Sequence, residues 1–82
     1  MELTDRQLRE VKEHFGLSPR QIEVVQLLLG HVDSTAELAE ALGVSPGSAR
    51  QFVFLLHTKM GTKSKGQICM TALDHLVEKN ML

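Results

Sequence analysis

Five times in 82 residues the chain sets a hydroxyl side chain just ahead of a run that suits a helix. Thr4-Asp-Arg-Gln7, Ser18-Pro-Arg-Gln21, Ser34-Thr-Ala-Glu37 and Ser64-Lys-Gly-Gln67 share one pattern. In it the hydroxyl accepts from the third backbone N–H of a helix, and a Glu or Gln three residues on reaches back. Ser45-Pro46 makes the fifth start, with proline in the first turn, where its missing N–H costs nothing. Gly16, Gly30, Gly43, Gly61 and Asn80 stand where these runs must stop. This punctuation predicts helices near 4–15, 18–29, 34–42, 46–60 and 65–79. No segment alternates with period two as a strand does. The expected fold class is all-α, a five-helix bundle.

Periodicity assigns the inner faces. The first helix offers Leu8, Val11 and Phe15, the second Ile22, Val25, Leu28 and Leu29, and the third Leu38, Ala39 and Leu42. In the fourth, Ala49, Val53, Leu56 and Met60 recur at steps of four, three and four. The last helix has Ile68, Ala72 and Leu76 on one side, with Cys69, Leu73 and Val77 beside them. That stripe is wider than one packed face needs. With 43% hydrophobic residues, three Phe and neither Trp nor Tyr, the core must be mostly aliphatic.

Several function classes are set aside by what the chain lacks. A single cysteine, Cys69, cannot form an internal disulfide and is read as a small packing residue. No apolar run approaches the roughly 18 residues that span a bilayer, and the N-terminus lacks the layout of a signal peptide. A cytoplasmic protein is expected. His14, His31, His57 and His75 have no ligand-like spacing and no paired cysteines, so no metal is expected. No Ser, His and carboxylate set has catalytic spacing and no glycine-rich loop follows a strand, so neither an enzyme nor a cofactor is expected. The stripe Leu8, Val11, Phe15 has a polar face of mixed sign, which suits core or dimer contact better than a membrane surface.

Charge is uneven although the net value is -1. Residues 1–40 carry eight acids and four bases; from Ala41 to Leu73 there is no acid, while Arg50, Lys59, Lys63 and Lys65 are basic. An acid-free, modestly basic third is what a phosphate-facing surface asks for. The same third holds "LGVSP", in which glycine ends one short helix and serine caps the next two residues later. Two helices meeting across such a turn form a helix-turn-helix, whose second helix enters the DNA major groove.

The chain resembles the LuxR/GerE type of helix-turn-helix, the DNA-binding domain of many bacterial transcription regulators. The likeness runs from Leu17 to about Leu73 and rests on "LSPRQIEVVQLL", "AELAEALGVS" and "KMGTKSKGQI" in that order. A shorter stretch, "GVSPGSAR", is similar to the turn of sigma-factor region 4, also a DNA reader. The resemblance implies a four-helix domain over residues 17–82, with residues 1–16 as an N-terminal helical extension. It implies a recognition helix at Ser45–Met60 and a homodimer through Lys65–Lys79, centred on Cys69, Leu73, Leu76 and Val77. The chain starts with Met and leaves no room for a receiver or ligand-sensing domain. It is expected to be a free-standing regulator, like the small spore-coat regulators of that family, or an isolated domain of a longer one.

The chain also departs from the family pattern at several positions. Gln21 replaces a usual Glu, Ala36 a common lysine, and the loop from Gly30 to Ser34 is one residue longer. Where the family tends to Thr-Val-Lys-x-His, this chain has Ser48, Ala49, Arg50, Gln51 and Phe52. Stepping 100° per residue from Ala49 at the centre of the buried arc turns Gln51 and Thr58 outwards. Arg50, Phe54 and Gly47 fall on one shoulder, Ser48 and Leu55 on the other, and Phe52 at the boundary. Arg50 suits guanine, Gln51 adenine and Phe54 a thymine methyl. Thr35, Ser45, Ser48, Lys59, Lys63 and Lys65 are the expected phosphate-side contacts. The alternative is a protein-binding adaptor or anti-activator acting through Phe52, Phe54 and Leu55.

Overall fold

The computed structural model describes residues 1–32 and 34–82. Five helices follow one another: α1 (Asp5–Phe15), α2 (Pro19–Leu29), α3 (Thr35–Leu42), α4 (Pro46–Met60) and α5 (Lys65–Glu78). No strand occurs among the described residues. Each helix opens on the expected hydroxyl cap, Thr4, Ser18, Ser34, Ser45 or Ser64. At Thr4 and Ser18 the capping box closes in both directions. At Ser34 the Glu37 carboxylate instead accepts from the serine hydroxyl (3.0 Å), and at Ser64 the Gln67 amide oxygen accepts from Lys63 N–H (2.6 Å).

All five helices end in the same way. One residue turns left-handed, and the N–H after it returns to the carbonyl five residues back. Those returning bonds are Leu17 to Lys12, Val32 to Leu27, Val44 to Ala39, Thr62 to His57 and Met81 to Leu76, at 2.8–3.1 Å. Gly16, Gly43, Gly61 and Asn80 take the left-handed position, as their sequence places predict. The second helix differs. Gly30 keeps a negative φ of -86°, and His31 turns left-handed at φ 71°. The helix still ends at Leu29, but its left-handed turn comes one residue later than the glycine suggests, and Val32 returns to Leu27 and packs against the core.

One hydrophobic core serves all five helices, from Leu3 and Val11 through Val24, Leu38 and Leu56 to Ile68 and Leu76. α4 packs on α2, α3 and α5, while α1 packs on α2 and α5. The N-terminal amine donates to Leu29 C=O (2.8 Å), and the Gln7 side chain donates to Met81 C=O, so both chain ends are tied down. Residues 1–16 are thus continuous with the rest in packing. The division at residue 16 marks where the family resemblance begins, not a gap in the core. The radius of gyration, 11.7 Å, matches the value of about 12 Å expected for one globular unit of this length.

Candidate nucleic-acid interface

Three devices hold α3 and α4 in place around Gly43. Val44 N–H donates to Ala39 C=O (3.0 Å) and Gly43 N–H to Glu40 C=O (3.2 Å), which ends α3 sharply. Ser45 then accepts from Ser48 N–H (3.2 Å) and donates to the Ser48 hydroxyl (3.1 Å), which starts α4 two residues later. Arg20, on α2, donates to Leu42 C=O (3.1 Å) and pairs with Glu23 (3.4 Å). A guanidinium at that carbonyl satisfies an otherwise orphaned helix end and complements its dipole. The angle between α3 and α4 is therefore set by backbone bonds and one long side chain.

The outer face of α4 is open. Ser48, Arg50, Gln51 and Thr58 are exposed, and Ala49, Leu56 and Met60 are buried beneath them. Phe54 is 55% exposed. Phe52 and Leu55 are half-buried; of the two, Phe52 leans on the core. Only Phe54 of the three suggested patch residues stands clear of the surface. Val53, placed in the core by its spacing, is half-buried against the cluster's edge.

The residues expected at phosphates divide into two groups. Lys63 is exposed just after the α4 stop, Lys65 is half-buried in the first turn of α5, and Thr35 is half-buried in the first turn of α3. Lys59 has a structural duty. Its ammonium donates to Gly16 C=O and to Gln21 Oε1, both at 2.8 Å. Gln21 is buried, and its Oε1 also accepts from Ser18 N–H (2.8 Å). Lys59 is thus a strut between the end of α4 and the α1–α2 joint. His57, on the same helix, is half-buried and bonded through Nδ1 to the Thr62 hydroxyl (2.8 Å).

On α5 the expected dimer face divides in the same manner. Val77 is 57% exposed, Leu73 and Cys69 are half-buried, but Leu76 is fully buried in the core and unavailable to a partner. Met70, 63% exposed, joins Leu73 and Val77 on one side at steps of three and four. Burial pushes the Cys69 thiol above its ordinary value of 9.0.

Away from α4, the structure assembles a cluster that spacing along the chain conceals. Glu10 and His14 stand one turn apart on α1, and His75 reaches them from α5. His75 is buried, with Nε2 2.7 Å from Glu10 Oε2. The His14 ring stacks on it, centroids 3.8 Å apart and 19° from parallel, and Phe15 meets both imidazoles edge-on. The hydrogen bond from His75, more than the nearby charges of His75, Lys79 and His14, holds the Glu10 carboxyl below its ordinary value against the opposing effect of burial. The only sequence trace is the four-residue step from Glu10 to His14, because His75 lies 61 positions further on.

No helix among the described residues is long and apolar enough to cross a membrane. Compared with family models, with curated proteins and with solved structures, the chain matches none of them.

Proposed function

We propose that this protein is a sequence-specific DNA-binding transcription regulator that lays α4 in the major groove. The observation that carries the proposal is the outer face of α4. Arg50 and Gln51 stand exposed on a helix whose entry angle is fixed by the Gly43 turn and by Arg20. Those two side chains are the types that make paired hydrogen bonds to guanine and adenine. The acid-free span from Ala41 to Leu73 and the resemblance to the LuxR/GerE helix-turn-helix support the same reading. Lys63 and Lys65 would lie at phosphates, which fix register without reading sequence. Pairing of two copies through Cys69, Met70, Leu73 and Val77 would set two reading helices on half-sites about 34–36 Å apart. A cytoplasmic location, with access to DNA, belongs to the same proposal.

Phe54 favours a second reading, an adaptor or anti-activator that docks a protein on α4. A large exposed aromatic group is the usual centre of a protein contact. Selection of bound sequences from random duplex DNA by the purified protein separates the two. An enriched motif whose binding falls steeply with salt supports DNA reading. Weak, salt-sensitive binding without an enriched motif supports the adaptor.

A further inference from the structure

We propose that Glu10, His14 and His75 form a site for a divalent transition-metal ion of the zinc class, bridging α1 and α5. Each residue offers one ligand atom, and the three atoms lie within 4.8 Å of one another. Bond lengths of about 2.0–2.1 Å around a tetrahedral zinc put neighbouring ligand atoms about 3.3–3.4 Å apart. The Glu10–His75 contact, at 2.7 Å, is tighter than that edge. The ion would replace the hydrogen that now joins them, so the pair need open by only about 0.6–0.7 Å. His14 stacks nearly parallel to His75, and its ring must tilt for its lone pair to converge on the ion. Because His14 is exposed and Glu10 half-buried, both can move at little cost. His75 is buried and supplies the fixed point.

The donor set decides the metal. Two imidazoles and one carboxylate suit zinc, cobalt, nickel or copper, whereas calcium and magnesium prefer an all-oxygen shell. Three protein ligands leave a fourth position for water. The ligands come from both sides of the α1–α5 contact, so an ion that binds only the folded chain stabilises that contact. Binding displaces the proton at the Glu10–His75 contact, which passes to solvent. The inference is independent of what α4 binds.

Titration of the whole, metal-free protein with zinc chloride at pH 7.5 tests it by calorimetry and thermal unfolding. One ion per chain is expected, with a rise in Tm of several degrees. Cobalt(II) should give the visible absorption of a four-coordinate site. Magnesium should do neither. Glu10→Gln, which keeps a hydrogen-bonding oxygen for His75, and His14→Ala, at an exposed position, should each retain helix content by circular dichroism. Each should weaken zinc binding by at least about tenfold. His31→Ala, His57→Ala and Cys69→Ser serve as controls and should leave it unchanged. Binding weaker than millimolar, or binding that survives both Glu10→Gln and His14→Ala, would overturn the site.

Discussion

Lys59 shows how a surface charge can be committed before any ligand arrives. Its ammonium serves the buried Gln21 oxygen and the Gly16 carbonyl, while Lys63, four residues on, is exposed. Lys59→Ala should therefore lower stability by about 1 kcal/mol, the usual net worth of such bonds at a partly exposed position. Lys63→Ala should leave stability unchanged and, on the proposed function, reduce the salt slope of DNA binding by about one unit. Urea unfolding and binding isotherms at several salt concentrations check the pair. A Lys59→Ala protein as stable as the parent would show that the strut contributes nothing. His31 carries a local cost of its own, since it holds φ 71° without a glycine's freedom or the tolerance of an asparagine such as Asn80. His31→Gly should raise stability by about 0.5–1 kcal/mol, the left-handed penalty relieved less the added entropy of the unfolded chain. A shifted urea midpoint with an unchanged slope is the expected signature.

At the scale of the helix, α4 and α5 each carry an outer face whose use can be read from single substitutions. If α4 reads DNA, Arg50→Ala should cost about 1–3 kcal/mol in binding and relax preference at one base. Phe54→Ala should cost less, and the opposite ranking against a captured protein would favour the adaptor reading. Neither change should alter Tm, because both side chains are exposed. On α5 the distinction lies between neighbours. If two copies pair through α5 as proposed, Val77→Asp, at an exposed position, should shift that dimer toward monomer while the fold survives. Leu76→Ala should unfold the chain more readily by about 2–5 kcal/mol, because a fully buried leucine leaves a cavity. Sedimentation velocity and thermal unfolding read the two effects separately. Cys69, with its thiol pushed up by burial, should alkylate more slowly than a free cysteine at pH 7 and faster as pH rises past 9.0.

For the molecule as a whole, the N-terminal segment is the decisive test of unity. Leu3 and Val11 are buried in the common core, and α1 covers parts of both α2 and α5. Removing residues 1–16 forfeits about 1.5–3 kcal/mol for each of those two side chains and exposes the surfaces beneath them. A domain of this size holds only about 5–15 kcal/mol in total. The 17–82 fragment should therefore unfold at a much lower temperature than the parent, or lack a cooperative transition. A fragment with the parent's Tm would mean that residues 17–82 are self-sufficient, as the family resemblance alone implies.

What the sequence by itself determined was whatever acts over a few residues. A hydroxyl cap bonds an N–H three positions away, and the N–H after a left-handed stop returns to a carbonyl five positions back, so Ser45, Gly43, Gly61 and Asn80 could be placed without knowing any neighbour. The faces of the helices followed from their 3.6-residue turn, which put Arg50 and Gln51 outside and Leu56 inside. Tertiary structure decided everything that depends on which face meets which. It set Lys59 against Gly16 across 43 positions and His75 against Glu10 across 65. It drew Leu76 inwards and left Val77 outside, though both belong to one broad apolar stripe. Periodicity gives the direction of a side chain from its own axis, but not the distance or identity of what lies there. Those depend on how five helices share one core.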